Sequence, residues 1–196
     1  IGLGVMGFPM AGHLSNQGYK VTVYNRSEEK SKLWVKKYAG NYSTSVSEAV
    51  ADSDIVFSCV GNDSDLRDIT LGHDKAFSGM KAGSVFVDHT TTSSDIAIEL
   101  SEIAKKYNIH FLDAPVSGGE VGALKGELTV MIGGENLIFD RINSIIRAYA
   151  KNITLIGGPG KGQLAKMVNQ ICIAGLIQAL SEAISFSEKS GLDTKK

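Results

Sequence analysis

The sequence predicts an α/β fold, in which a doubly wound parallel sheet is followed by the first long helix of a second, all-α domain. Short runs rich in β-branched and aromatic residues alternate with helical stretches along residues 1–160. That alternation is typical of parallel strands joined by crossover helices. Several runs are apolar at every position, as expected for strands whose two faces are both covered.

Strands and helices are predicted in alternation over the first domain. The predicted strands cover residues 21–25, 55–60, 84–88, 110–113, 128–132 and 153–156. The predicted helices cover residues 6–17, 28–38, 46–51, 64–71, 93–107 and 137–149. Apolar periodicity and the flanking Gly, Ser and Asn residues set these bounds.

A cluster of glycines and a proline, at residues 157–162, predicts a domain boundary. We assign residues 1–160 to the first domain and residues 161–196 to the start of an all-α domain. A helix is predicted from about residue 163 to 190, with Gly191 at its C′ position. Its apolar side chains cover most of its circumference, so we expect it to pack on several sides. We also expect both ends to be truncations, with Ile1 the last residue of the first strand.

Composition argues against several classes of function. The net charge of −1 gives no electrostatic basis for binding nucleic acid or an anionic membrane. Cys59 and Cys172 lie far apart in apolar runs, which argues against a disulfide or a metal site and favours a reducing compartment. No signal peptide and no apolar run of membrane-spanning length is apparent. We therefore expect a cytoplasmic protein without a metal.

The N-terminal glycines predict a dinucleotide site. Gly2, Gly4 and Gly7 form the pattern GxGxxG at the start of a predicted helix. The three glycines allow a tight turn, close approach of a pyrophosphate, and close packing of helix on strand. The helix N-terminus presents N–H groups to the phosphates. This is the Rossmann-type arrangement, and we expect Leu3, Val5 and Met6 to contact the cofactor with the glycines.

The end of the second strand bears on cofactor choice. An NAD-specific site usually has Asp or Glu there, but this chain has Asn25, Arg26 and Ser27. Arg26 can pair with a 2′-phosphate, and the two neutral side chains can add hydrogen bonds. We therefore predict NADP as the preferred cofactor, with NAD as the other candidate. Alternatively, Arg26 is a solvated surface residue and Ser27 is the N-cap of the next helix.

Three motifs together resemble the 3-hydroxyisobutyrate (β-hydroxyacid) dehydrogenases, in that family's order and spacing. The motifs are IGLGVMGFPMAGHL at 1–14, DAPVSGG at 113–119 followed by GELTVMIGG at 126–134, and GxGQxxKxxNQ at 160–170. The resemblance covers essentially the whole chain. It implies a Rossmann-type domain followed by an all-helical domain, of which the helix after Gly162 is the first.

Lys166, Asn169 and Gln170 lie at positions i, i+3 and i+4, on one face of the predicted long helix. Spacing alone favours a lysine that extends to solvent from the first turn. The resemblance instead implies that Lys166 is catalytic and that Asn169 binds substrate. Gln170 stands where many relatives have a second asparagine, and we include it among the substrate-binding candidates.

Loops at predicted strand ends supply the remaining site candidates. Ser117, Gly118 and Gly119 follow a strand and form either a plain turn or, as the resemblance implies, a clamp for the substrate carboxylate. Val60, Asn62 and Thr91 follow two other strands and are predicted cofactor contacts, since ligands bind open α/β sheets at these ends. His89, His13, His73 and His110 are interpreted as structural or surface residues.

The resemblance implies an oxidoreductase that transfers hydride between NAD(P) and a small β-hydroxy acid or semialdehyde. The substrate types are 3-hydroxyisobutyrate, tartronate semialdehyde and succinate semialdehyde; Asn169-Gln170 and Gly119-Glu120 resemble the semialdehyde reductases. The alternatives are a non-catalytic NADP-binding scaffold and 6-phosphogluconate dehydrogenase, which shares the architecture. We expect a homo-oligomer, dimer or tetramer, formed through the helical domain.

Overall fold

The computed structural model describes residues 1–195, and its strands and helices alternate as predicted. The strands are β1 (Thr22–Val23), β2 (Asn41–Tyr42), β3 (Ile55–Ser58), β4 (Val85–Asp88), β5 (His110–Asp113), β6 (Val116–Ser117), β7 (Leu128–Gly133) and β8 (Ala150–Gly157). The helices are α1 (Gly7–Asn16), α2 (Glu28–Lys37), α3 (Val46–Val50), α4 (Asp63–Thr70), α5 (Ala76–Gly79), α6 (Ser94–Lys106), α7 (Gly119–Lys125), α8 (Asn136–Ile146) and α9 (Lys161–Lys189). Every predicted element has a counterpart. The short elements β2, β6, α5 and α7 were not predicted.

The large sheet has the strand order β3-β4-β5-β7-β6, and β8 pairs with β7. β3, β4 and β5 are parallel, whereas β7 pairs antiparallel with both β5 and β6. The fold class is confirmed, but the sheet is mixed where the sequence indicated parallel strands throughout. The reason is local: the chain leaves β5 through β6 and the seven-residue α7, without a long crossover helix between β5 and β7.

Ile1 links β1 to the large sheet. Its terminal nitrogen donates to the Phe57 carbonyl oxygen at 2.7 Å, and its own carbonyl accepts from Cys59 N at 3.0 Å. On the other side, Gly2 N donates to the Tyr24 carbonyl oxygen at 2.9 Å. The start of the chain therefore lies between β1 and β3 and places the glycine turn at the carboxyl edge of the sheet.

Two apolar clusters cover the two faces of the sheet. Val85 and Val87 of β4 point to one face, where they pack with α1 and α8, and Phe86 points to the other, where it packs with α6. This alternation is the period of a strand, and it explains why β4 is apolar at successive positions. Burying each such side chain contributes about 1.5–3 kcal/mol. The sheet edge is thus a rigid platform for the loops above it.

α9 extends away from the sheet, and only Gly162 and Gln163 of it are buried. Its apolar side chains are exposed over the described residues: Leu164, Met167, Val168, Ile171, Ile173, Leu176, Ile177, Leu180, Ile184 and Phe186. By length and composition α9 is able to cross a membrane, since an 18-residue window of it has a mean hydropathy of 1.4. The prediction that no run reaches membrane-spanning length is therefore wrong. Isolated polar residues such as Gln178 and Ser181 interrupt the apolar run, but the apolar residues around them keep the mean over the window high. The buried core helix of a soluble protein passes the same test.

Candidate active site

A cavity of about 610 Å³ lies at the carboxyl edge of the sheet, between the glycine turn and the first turns of α9. It is lined by Met6, Cys59, Val60, Gly61, His89, Thr90, Thr91, Val116, Ser117, Gly118, Gly119, Lys166, Gln170 and Ile173. Residues from all three sequence motifs thus meet at one place, although they are far apart in the chain. Open α/β sheets bind ligands at this edge.

The glycine turn fits a dinucleotide. Gly2 has a φ of +88°, and a Cβ on it would collide with the carbonyl oxygen of Cys59. A Cβ on Gly7 would collide with the carbonyl oxygen of Gly2, so both glycines are required by the fold itself. Gly4 differs, because a Cβ there would meet nothing within 4 Å. No side chain caps α1, so its first N–H groups and the open space beside Gly4 suit a pyrophosphate.

In the segment after β1, Asn25 makes hydrogen bonds within the fold and Arg26 extends into solvent. Asn25 Oδ1 accepts from Leu3 N at 2.8 Å, and Asn25 Nδ2 donates to the carbonyl oxygen of Ser27 at 3.0 Å. Asn25 therefore holds the glycine turn. Ser27 precedes α2 as its N-cap residue, without a side-chain cap hydrogen bond. The Arg26 side chain is 90% exposed and lies 3.5 Å from Asp65, within reach of a ligand on the glycine turn.

The loops after β3 and β4 hold the other predicted cofactor contacts. Val60 and Thr91 line the cavity, and Val60 N donates to Thr90 Oγ1 at 3.0 Å. Asn62 does not line the cavity; its Oδ1 accepts from Asp65 N at 3.0 Å and caps α4. Val5 is 64% exposed and also lies outside the cavity lining. Val60 and Thr91 thus line the cavity, and cofactor contacts by Asn62 and Val5 stay predictions.

Asp88, at the end of β4, connects these two loops through hydrogen bonds. Its carboxylate accepts from Ser58 Oγ at 2.7 Å and from Thr90 Oγ1 at 2.6 Å, and Thr90 N donates to it at 3.1 Å. Burial raises the pKa of Asp88 to about 7. Sequence reasoning did not single out Asp88. An acidic residue directly after three apolar strand residues was the available signal.

His89 is structural, as expected, although it lines the cavity. Its Nδ1 lies 2.6 Å from the Ala114 carbonyl oxygen, which only accepts, so Nδ1 carries the proton. Nε2 lies 2.8 Å from the Tyr149 hydroxyl and accepts from it. Burial lowers the pKa of His89 to about 4. A neutral ring whose two nitrogens are both bonded to protein groups is poorly placed for acid–base chemistry.

Lys166 lies on α9 and faces the cavity, half-buried, and burial lowers the pKa of its ammonium group. Gln170 lies one turn further along and also lines the cavity. Asn169 lies outside the cavity lining, and its Nδ2 donates to Gln170 Oε1 at 3.4 Å. Gln170, whose role the sequence left open, therefore lines the cavity, and substrate binding by Asn169 stays a prediction.

The Ser117–Gly119 segment lines the same cavity as Lys166. Gly118 has a φ of +126° and Gly119 a φ of +60°, conformations that favour glycine. Gly118 is the N-cap position of α7 and makes no side-chain cap. Ser117, Gly118 and Gly119 all line the cavity, and their role as a clamp for the substrate carboxylate stays a prediction. Among residues 1–195, no group of three or more His, Cys, Asp or Glu side chains is arranged for a metal ion.

Sequence and structure comparisons agree on the family. Residues 1–157 match the model of the NAD binding domain of 6-phosphogluconate dehydrogenase. The chain is 53% identical, over its whole length and 67% of the relative's, to an uncharacterized oxidoreductase of Shewanella frigidimarina. It is also 40% identical to the Arabidopsis thaliana protein named probable 3-hydroxyisobutyrate dehydrogenase-like 2, mitochondrial. This match covers the whole of the present chain and 65% of the Arabidopsis protein.

Among solved structures, the chain resembles the Mycobacterium tuberculosis 3-hydroxyisobutyrate dehydrogenase with L-serine. The TM-score is 0.92 at 30% identity, over 98% of this chain and 65% of that one. The chain thus spans about two thirds of the length of these proteins. The predicted Rossmann-type fold and the predicted resemblance are both confirmed. By the match over residues 1–157, the chain belongs to the family of the NAD binding domain of 6-phosphogluconate dehydrogenase.

Proposed function

We propose that this chain is the cofactor-binding part, with the lysine-bearing helix, of an NADP-preferring oxidoreductase acting on a small β-hydroxy acid or semialdehyde. The observation that carries the proposal is that Lys166 and Ser117–Gly119 line one cavity, which also borders the glycine turn at Met6. A base, an anion-binding segment and a dinucleotide turn are the three parts such a reaction needs.

The glycine turn and the N-terminus of α1 hold the pyrophosphate, and Arg26 pairs with a 2′-phosphate. Thr91 and Val60 lie where the redox-active ring would be seated, at the ends of β4 and β3. When bound, the nicotinamide supplies or accepts the hydride. The protein's own residues orient the substrate carbon toward the nicotinamide, and they donate a proton to the substrate oxygen or remove one from it.

Lys166 performs the proton transfer. In reduction, hydride adds to the carbonyl carbon while the Lys166 ammonium donates a proton to the oxygen, giving the alcohol and a neutral amine. In oxidation, the same amine takes the hydroxyl proton. Burial lowers the pKa of Lys166, which brings the ammonium closer to the pH range where both forms are populated.

We expect a small acid as the substrate because the Ser117–Gly119 segment can bind an anion. The Ser117 hydroxyl and the N–H groups at Gly118 and Gly119 would donate hydrogen bonds to its carboxylate, and Gln170, which lines the same cavity, would hold the carbonyl or hydroxyl oxygen. Tartronate, succinate and methylmalonate semialdehydes, and their hydroxy acids, have a suitable size. We further propose a cytoplasmic homo-oligomer, in which the exposed apolar side chains of α9 are covered by the helical domain or a second subunit.

The competing proposal is a dinucleotide-binding module without catalysis. Such a module needs the glycine turn but has no use for a half-buried lysine in one cavity with Ser117–Gly119. The test is steady-state turnover of the three semialdehydes by the full-length protein with NADPH. Lys166→Ala abolishes turnover and keeps NADPH binding if the proposal holds, and Lys161→Ala, on the same helix but exposed, is the control. Tight NADPH binding without turnover of any semialdehyde or hydroxy acid would favour the module.

A further inference from the structure

The side chain of Gln163 connects α9 to the loop that follows β4. Gln163 is fully buried. Its Oε1 accepts from Thr92 N at 3.1 Å, and its Nε2 donates to the Thr90 carbonyl oxygen at 2.7 Å. The amide thereby binds the backbone on both sides of Thr91. A side-chain amide suits this position because it can donate and accept at once at any pH.

The backbone of the same residue is held by Asp113. Gln163 N donates to Asp113 Oδ2 at 2.9 Å, and Gly160 N donates to Asp113 Oδ1 at 2.7 Å. α9 has no cap from its own N-cap residue, Gly160, so the carboxylate at the end of β5 takes that role. A negative charge at this position is also favoured by the helix dipole. A Cβ on Gly162 would collide with the Met131 carbonyl oxygen, so the first turn fits closely.

Lys166 follows Gln163 by three residues, which is about one helical turn. Lys166, Gln170 and Ile173 all line the cavity, so Gln163 stands at the buried end of the face that carries them. A helix moves largely as a rigid unit, and a shift of its first turn displaces the lysine equally. The Gln163 amide therefore acts with Asp113 and the close fit at Gly162 to fix the position of Lys166 relative to the loop after β4.

We propose that Gln163, whose backbone is held by Asp113, is a positioning residue. It fixes the position of Lys166 relative to residues 90–92, the loop after β4 on which the nicotinamide would rest. The inference rests on the proposed function for the role of Lys166. The link between the first turn of α9 and residues 90–92 can be tested even if the proposed function is wrong. Cofactor that orders residues 90–92 should also order the first turn of α9, because the Gln163 amide joins them.

The variants Gln163→Met and Gln163→Glu are compared with Gln178→Met in the full-length protein. Methionine keeps the length of the side chain and removes both hydrogen bonds. A protonated carboxylic acid can replace both bonds, whereas an ionised one cannot donate to the Thr90 carbonyl and lies close to Asp113. Gln178 is exposed on the same helix and bonds only Glu182 among the contacts described, which makes it the matched control.

We expect Gln163→Met to lower kcat by about tenfold or more, since sub-ångström placement controls hydride and proton transfer. Its Kd for NADPH should stay within about threefold. Gln163→Glu should recover kcat at low pH and lose it as the introduced acid ionises, and Gln178→Met should match the wild type. An unchanged kcat in Gln163→Met, or a Kd that weakens as much as kcat falls, would overturn the inference.

Hydrogen exchange by mass spectrometry gives the second readout. NADPH should protect the amides of residues 160–166 in the wild type and in Gln163→Glu at low pH, but not in Gln163→Glu at high pH. Absence of that protection in the wild type would refute the link even if catalysis is normal. If the proposed function is wrong, the result is different: the wild-type protein binds NADPH but turns over no substrate.

Discussion

Arg26 should set the preference for NADP over NAD. Its side chain is 90% exposed and its one described ion pair is with Asp65, at 3.5 Å. A charge-assisted hydrogen bond to a 2′-phosphate contributes about 1.5–3 kcal/mol, and breaking an exposed ion pair costs about 0–1 kcal/mol. The difference, about 0.5–3 kcal/mol, corresponds to a loss of roughly two- to 150-fold in NADPH affinity for Arg26→Ala. NADH affinity should not change.

The assay is fluorescence titration of each variant with NADPH and with NADH at a fixed, low ionic strength, because salt screens exposed charges. Asp65→Asn should strengthen NADPH binding by up to about fivefold, since Arg26 then has no competing partner. Arg147→Ala, an exposed arginine at the end of α8, is the control. The reasoning is refuted if Arg26→Ala weakens both cofactors equally, or if the wild type binds NADH more tightly than NADPH.

Three further predictions concern the turn, the base and the buried imidazole. Gly4→Ala should fold with an unchanged Tm and bind NADPH at least about tenfold more weakly, whereas Gly7→Ala should lower Tm, as differential scanning fluorimetry and titration would show. The rate of semialdehyde reduction should fall as pH rises through the pKa of Lys166, at a pH below the 10.5 of an ordinary lysine; a flat profile across that range would exclude Lys166 as the acid. His89 stays neutral in the fold, with a pKa of about 4 against 6.5, so the unfolded chain takes up the proton first and the contribution of His89 to stability falls by about 3 kcal/mol as pH drops from 6.5 to 4. Asp88, whose pKa is raised to about 7, contributes in the opposite direction over this range, so the test is the difference between variant and wild type. In urea unfolding, the stability of His89→Gln relative to the wild type should rise as pH drops, whereas that of His73→Gln, at an exposed histidine, should not change with pH.

Local patterns predicted much of this architecture because they act over short distances. The alternation of apolar strands and amphipathic helices, and the glycines of the first turn, each reflect contacts within about one element. The glycines at 157–162 likewise marked the start of α9 to within two residues. The assignment of residues 1–160 and 161–196 to separate domains remains a prediction.

Features set by distant contacts were not predicted. The antiparallel direction of β7 depends on its pairing with β6 and β5, and nothing within β7 itself encodes that direction. The bonds of Gln163 to Thr90 and Asp113 span 73 and 50 residues, so neither partner could be inferred from spacing. Asn62 was placed in the site by its position at a strand end, and Asn169 by the resemblance; neither the cap that Asn62 forms on α4 nor the bond of Asn169 to Gln170 was predicted.

The central claim is that Lys166 transfers the proton during hydride transfer to a small semialdehyde. The most direct measurement is a single turnover of the full-length protein with 4-deuterated NADPH and tartronate semialdehyde, with the product analysed by mass spectrometry. The account predicts glycerate that carries one deuterium with the wild type, and none above background with Lys166→Ala at saturating NADPH. Undiminished deuterium transfer by Lys166→Ala, or none by the wild type with any of the proposed semialdehydes, would contradict it.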